Sequence, residues 1–427
     1  MRAAFTSVAA AGAVVDTPLA VLGALLVAGA MLSGLARRSM LSLAALFVLV
    51  GFVLGRGGLG VLELDPRSSF VSALAVVALI VILFRDGLEV EAEMLQTAWH
   101  LPLRKLVLAM PVTGALVALA AKALTDLTWT EAFLLGALLS PTDPVLSSGV
   151  VTNPRVPRII RHSLNLESGL NDGLALAPVL ALTAALGSGG SDFVWWRFVL
   201  EDVSLGALTG LAVGLVAARL LPSSGVRHEI PPHQKALFGL GTAFAAYGAA
   251  VLQPQANGFI AVFVAAITLG IRRADVRESF ERRAEDIVEI VKLGVFVVFG
   301  SLFTFDLLFH DGWAAVGIAA FTLLVARPVA IFAALAGTRL DVASKLFMAW
   351  FGPKGVATMT FSLFVLGEGI PAAGDLFDLA GLTVFCSILA HGLTDTPGSE
   401  WMARRAERAA VRAPAQRPAP LERTPAP

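Results

Sequence analysis

The sequence predicts an all-α polytopic membrane protein. Three observations carry that expectation. Hydrophobic residues make up 56% of the 427 positions and charged residues 15%, against about 25% charged in a soluble domain. Apolar runs of about 17–25 residues, enough to cross a hydrocarbon core of roughly 30 Å, recur along the chain. Two of these runs are interrupted by proline and glycine beside charged residues, which lipid tolerates only where protein, water or an ion meets the freed backbone groups.

Taken in order, the runs predict about thirteen transmembrane helices. They cover 17–35, 40–55, 69–86, 105–124, 130–151, 163–186, 198–220, 235–253, 257–271, 285–305, 312–336, 345–367 and 376–396. Segments five, nine and twelve are the least regular. The loops fix an orientation. Arg37 and Arg38, Arg104 and Lys105, Arg155, Arg158 and Arg161, then Arg219, Arg227 and Lys235 fall on one face. So do Arg272, Arg273, Arg277, Arg282 and Arg283, Arg339 and Lys345, and Arg404, Arg405 and Arg408. The opposite loops hold only Arg2, Arg56, Arg67, Lys122 and Arg197. By the positive-inside rule the C-terminus is expected in the cytoplasm and the N-terminus outside. Residues 1–16 read as a short external lead, and 397–427, rich in Ala, Arg and Pro, as a disordered cytoplasmic tail.

Other classes are excluded on composition. Lys+Arg and Asp+Glu are both 32, so no basic excess suggests nucleic acid. The single cysteine, Cys386, allows no intramolecular disulfide. No His-Glu-x-x-His or Gly-x-Ser-x-Gly run indicates an intramembrane enzyme. The six histidines show no metal-ligand spacing.

The interrupted segments are the fifth, with Ser140-Pro141-Thr142-Asp143-Pro144, and the twelfth, with Gly352-Pro353-Lys354-Gly355. Proline removes a backbone donor and clashes with the preceding turn. Broken helices in corresponding positions of two halves point to a transporter's midplane site. Segments four to six and eleven to thirteen pair as inverted triplets, each broken in its middle member. The pairing is one of hydropathy, without a residue-level repeat. Lys354 and Asp143 are placed to offset the dipole ends of the half-helices.

Segment six carries Glu167-Ser168-Gly169-Leu170-Asn171-Asp172. A carboxylate at bilayer depth costs roughly 2.5 to 3.5 kcal/mol on insertion scales and marks a functional site by default. Ser168 and Asp172, four apart, share one helix face, and Glu167 and Asn171 share the adjacent strip. Two carboxylates, Asp143 and Asp172, with the hydroxyls of Thr142 and Ser168, make an oxygen set suited to a hard monovalent cation. Glu167 needs a counter-charge, and Arg327, within segment eleven, supplies one. Asp86 and Glu89 read as interfacial groups at the end of segment three. Glu285, Asp286, Glu289 and Lys292 read as a solvated start to segment ten.

At these residues the chain resembles the monovalent cation:proton antiporters, in the sodium/proton exchanger branch with an Asn-Asp pair. The matching strings are Ser140-Pro141-Thr142-Asp143-Pro144, Asn165-Leu166-Glu167-Ser168-Gly169-Leu170-Asn171-Asp172, Arg327, and Trp350-Phe351-Gly352-Pro353-Lys354-Gly355. The last has lysine where many relatives have arginine. The resemblance implies the NhaA-like fold: a homodimer with scaffold helices over 17–103 and 191–311 and ion-carrying core helices over 104–190 and 312–396. It gives Asp172 the exchangeable ion/proton role, with Asp143, Ser168, Thr142 and Asn171 completing the site and no cofactor. It makes Glu167 and Arg327 a structural pair. It further implies one-for-one, electroneutral exchange of sodium, or possibly lithium, for a proton across the plasma membrane. Potassium/proton exchange on the same scaffold stays open, as does a cation channel. The expected mechanism is competition: Asp172 holds a proton or a cation, either neutralises the site, and the neutral site moves past the scaffold while the empty, charged one does not.

Overall fold

The computed structural model describes residues 43–94, 100–143, 148–187, 193–222, 230–253, 255–304 and 312–412, with Gly23 and Val27. The expected first segment, apart from Gly23 and Val27, lies outside the described residues, as do Pro144 and residues 413–427. Among the described residues the regular structure is helical, with no strand.

The helices are α1 Leu43–Leu54, α2 Ser69–Met94, α3 His100–Leu124, α4 Trp129–Leu138, α5 Ser148–Thr152, α6 Arg158–Gly187, α7 Trp195–Leu220 and α8 Pro232–Val251. Then come α9 Gly258–Arg272, α10 Ala274–Arg283, α11 Glu285–Leu302, α12 Gly312–Ala334, α13 Val342–Trp350, α14 Val356–Gly367 and α15 Ala373–Arg412. Among the described residues, α2, α3, α6, α7, α12 and α15 are long and apolar enough to cross a membrane; α1, α4, α9 and α14 are apolar but shorter.

Local chemistry sets several ends. Thr128 and Glu131 form a reciprocal capping box at the start of α4. The Asn257 side chain accepts from the N–H groups of Phe259 and Ile260 at the start of α9. Where helices approach closely, small residues permit it. α7 lays Gly206, Gly210 and Gly214 on α9, where an added Cβ would strike Asn257, Ala261 and Thr268.

Two triplets pack together: α3, α4–α5 and α6, and α12, α13–α14 and α15. In each, the middle member is interrupted: α4 ends at Leu138 and residues 139–143 are not helical, and residues 351–355 separate α13 from α14. The first helices of the triplets share a detail that hydropathy does not reveal. Each contains a π-turn, Lys105–Ala109 in α3 and Thr322–Ala326 in α12. A proline follows each by two residues, Pro111 and Pro328. A proline ring crowds the carbonyl four residues back, here Val107 and Leu324, inside the π-turn that widens the helix to accommodate it. α1, α2, α7, α8, α9 and α11 flank the triplets, with α2 packed on both α9 and α6.

The cationic side chains at the helix ends find local partners. Arg104, near the start of α3, donates to the Ala336 carbonyl just after α12 at 2.9 Å. Lys235 pairs with Asp275 at 2.9 Å, and Arg273 reaches the Leu221 carbonyl at 2.8 Å. Hydrogen bonds from Arg273 hold the Asp275 carboxyl well below the usual carboxylate range, with Lys235 adding to the effect.

The tail departs from expectation. α15 does not stop near residue 396 but runs through Pro397 to Arg412. Met402 and Ala403 are buried, and Gly398 lies against the Phe351 ring. Glu407 pairs with Arg155 at 3.0 Å and Arg405 with Asp341 at 2.6 Å. A buried apolar stripe plus ion pairs outweighs the helix-breaking tendency of a single proline.

Candidate ion site

The site forms where the two broken helices cross, and the interrupted backbones satisfy each other. The Asp143 N–H donates to the Pro353 carbonyl at 2.8 Å. Asp143 Oδ2 accepts the Val356 N–H at 2.9 Å, capping the start of α14. In return Lys354 Nζ donates to the Ser140 and Pro141 carbonyls at 3.1 and 3.0 Å, just beyond the end of α4. An anion thus faces an exposed helix N-terminus and a cation an exposed C-terminus. The Lys354 N–H is itself taken by Ser387 Oγ of α15 at 2.8 Å.

α6 brings the Asn-Asp pair to this crossing. Asn171 Nδ2 donates to the Thr142 carbonyl at 3.0 Å and to Thr142 Oγ1 at 2.9 Å. An amide is required here, because an ionised carboxylate has no hydrogen to offer two acceptors. Asn171 Oδ1 and Asp172 Oδ1 are buried without a hydrogen-bond partner. Ser168 lies on α6, one turn before Asp172; its side chain lies outside what is described.

A different carboxyl meets Asp172. Asp86 of α2, 2% exposed, is close enough to Asp172 to interact electrostatically and pairs with Arg85 at 3.6 Å. The expectation of an interfacial Asp86 is therefore corrected: α2 continues to Met94, which sets residue 86 well inside the helix. Among the described residues no three acidic, histidine or cysteine side chains converge on one point. Asp143 is close enough to Asp172 to interact electrostatically, but it is turned to its helix cap.

Behind the crossing sits the Glu167 clamp. Arg327 Nη1 donates to Glu167 Oε1 at 2.9 Å, and Lys105 Nζ donates to Glu167 Oε2 at 2.7 Å and to the Ser163 carbonyl at 2.7 Å. Lys105, read in the sequence as a loop cation, is fully buried. It opens the π-turn of α3, as Arg327 directly follows that of α12, so the two symmetric irregularities deliver the two cations that hold one carboxylate. Such a clamp fixes geometry more than it adds stability.

A solved structure of the sodium proton antiporter MjNhaP1 from Methanocaldococcus jannaschii superposes with a TM-score of 0.75 over 92% of this chain and 99% of that one, at 19% identity. That likeness is one of fold. A K(+)/H(+) antiporter NhaP of Alkalimonas amylolytica is 25% identical over 359 residues, 83% of this chain and 62% of that protein. A probable Na(+)/H(+) antiporter 2 of Methanocaldococcus jannaschii is 22% identical over 370 residues, 82% of this chain and 85% of that protein. This chain spans less than two thirds of the length of the potassium/proton relatives it matches. The model of the transmembrane sodium/hydrogen exchanger family matches residues 22–401, and the chain belongs to that family.

Proposed function

We propose that this chain is a secondary antiporter that exchanges a monovalent cation for a proton across the plasma membrane by alternating access. The observation that carries the reading is two buried carboxyls close to each other, Asp86 and Asp172, with Asp172 Oδ1 and Asn171 Oδ1 buried and without a donor. Buried carboxyls whose acceptor oxygens lack donors suit either a proton or a hard cation. Asp172 is the exchanged group. Thr142, Asn171, Ser168 and Asp143 shape the oxygen set around it, and Asp86 faces it from α2. Glu167 with Arg327 and Lys105, and Lys354 with Asp143, hold the frame. The residue ranges 104–190 and 312–396 form the moving core, and 17–103 and 191–311 the scaffold and homodimer surface. The N-terminus is external and the C-terminus cytoplasmic, in line with the bias of Arg and Lys among the loops.

Sodium is the preferred ion in this reading. Potassium is the second reading, favoured by the likeness to the K(+)/H(+) antiporter of Alkalimonas amylolytica. The test is purified protein in liposomes with a pH-sensitive dye and sodium, lithium or potassium added in turn. Antiport gives cation-driven dissipation of an imposed pH gradient, and a channel gives no uphill movement. Asp172→Asn is expected to abolish exchange in a protein that still folds; retained exchange would overturn the assignment.

A further inference from the structure

A cavity of about 510 Å³ opens where the start of α8 meets the junction of α10 and α11, and it shares no residue with the ion site. Packing builds it. α10 is a short polar helix that buries Val276 and Phe280. The Phe280 ring rests on α8 at Gly239, where an added Cβ would stand 3.0 Å from it. Only Ala284 separates the end of α10 from the start of α11. The last turn of α10 is thereby held beside the first turns of α8 and α11. Four polar side chains line the cavity, His233, Arg282, Arg283 and Asp286, together with the apolar Leu237 and Ile287.

The polar lining carries both signs. Elsewhere in this basic stretch Arg273 pairs with Asp275 and Arg277 with Glu281. Among the described residues Arg282, Arg283 and Asp286 form no ion pair, and all three are exposed. Of the charged residues that open α11, Asp286 and Glu289 are exposed while Lys292 is buried, where the sequence suggested a solvated run throughout. Apolar surface continues from the cavity along two helices. Leu237 and Phe244 on α8 are 58% and 39% exposed, and Ile287 and Ile290 on α11 are 37% and 45% exposed. Between the first two, Gly241 presents no side chain, and nothing stands within 4 Å of the place its Cβ would take. A surface that passes from arginines to aliphatic side chains within one helical turn matches the passage from headgroup to acyl chain at a membrane boundary.

We propose that this cavity binds the headgroup of an ethanolamine phospholipid, with the acyl chains lying on the apolar surface of α8 and α11. The inference is independent of which ion is exchanged. Basic pockets between membrane helices suit lipid headgroups, and charge complementarity selects this one. The guanidiniums of Arg282 and Arg283 match a phosphate, which arginine grips as a fork. The Asp286 carboxylate matches a primary ammonium, whose N–H groups donate to it. A choline headgroup has the phosphate but no N–H for the carboxylate. A glycerol headgroup brings no cation to it at all. The chain's own residues 413–427 supply only Leu421 as a large apolar side chain, too little to cover this surface.

The experiment uses the full chain in detergent, stripped of lipid and then given phosphatidylethanolamine, phosphatidylcholine or phosphatidylglycerol with identical acyl chains. Native mass spectrometry counts the lipid retained, and melting temperature is read in parallel. Wild type is expected to retain the ethanolamine lipid over the other two on the order of ten-fold and to melt higher in its presence. The double exchange Arg282→Gln with Arg283→Gln is expected to lose that retention. Asp286→Asn is expected to keep phosphate binding but to erase the preference over phosphatidylglycerol. These side chains are exposed, so the lipid-free melting temperatures should stay near wild type. If the double variant is not recovered folded, the two single exchanges replace it. Equal retention of all three lipids, or a wild-type preference for phosphatidylcholine or phosphatidylglycerol, overturns the proposal. So do variants that hold the ethanolamine lipid as wild type does.

Discussion

Asp143 and Lys354 cap each other's broken helix. Asp143, on the first interrupted segment, accepts the Val356 N–H that begins α14, and Lys354, on the second, donates to the Ser140 and Pro141 carbonyls that follow α4. The reciprocity explains why each break carries one charge of opposite sign. Backbone groups freed by Pro141 and Pro353 have no water to turn to at this depth, so the partner segment supplies what the solvent cannot.

Lys354→Met therefore removes more than a charge. It orphans two buried carbonyls, each worth about 1–3 kcal/mol when left unpaired. The expected outcome is a lower melting temperature in detergent, with loss of folded protein at growth temperature. A melting temperature equal to wild type would show that the two carbonyls find other donors.

Gly352 faces the Arg327 guanidinium so closely that an added Cβ would overlap it. Gly352→Ala must displace the guanidinium and weaken its bond to Glu167, at a cost of about 1–3 kcal/mol for overpacking. Gly241→Ala, on α8, is the control. Nothing stands within 4 Å of its added methyl, and alanine should gain up to about 1 kcal/mol of helix stability there. Opposite shifts of the two melting temperatures are expected; a shift of the same sign in both would remove the steric explanation.

Asp86→Asn keeps a hydrogen-bonding group opposite Asp172 but removes a carboxyl. One negative charge fewer then faces the site, which weakens its attraction for a cation. The apparent KM is expected to rise, on the order of ten-fold, with a smaller change in kcat. Exchange kinetics in proteoliposomes measure both. An unaltered KM would return Asp86 to the interfacial role its sequence context suggested.

These residues mark the limit of what the sequence discloses. The helix breaks were legible because proline and glycine act locally, and a charge inside an apolar run demands a partner. That logic named Asp143, Lys354, Glu167 and Arg327. It failed for Asp86, Lys105 and Lys292, which sit beside the ends of apolar runs. A hydropathy pattern ends a segment at its first charges, whereas α2 continues eight residues beyond Asp86 to Met94. Depth in the fold is a tertiary property, set by which helices stand alongside. The tail gave a missed local signal: Met402 and Ala403 follow Pro397 as a short apolar stripe, and Glu400 pairs with Arg404 one turn on.

The last prediction concerns how that tail is held. Asp341 caps α13 by accepting the Ser344 N–H at 3.0 Å, and it also accepts from Arg405 of α15 at 2.6 Å. The Ser344 hydrogen bonds, and then Arg405, hold its carboxyl down at about 2, below the ordinary 3.8. Because the folded value lies below the unfolded one, the stabilisation is fully present above about pH 4 and is lost as pH falls through about 2. The pair with Arg405 is exposed and contributes little, about 0–1 kcal/mol; the cap is worth about 1 kcal/mol. Asp341→Ala should therefore melt below wild type at neutral pH. That difference should shrink as pH falls toward 2, and hydrogen exchange over 397–412 should quicken in the variant. A melting difference that persists undiminished at the acid end would mean that the carboxyl's charge contributes nothing and that some other property of the side chain holds the helix start.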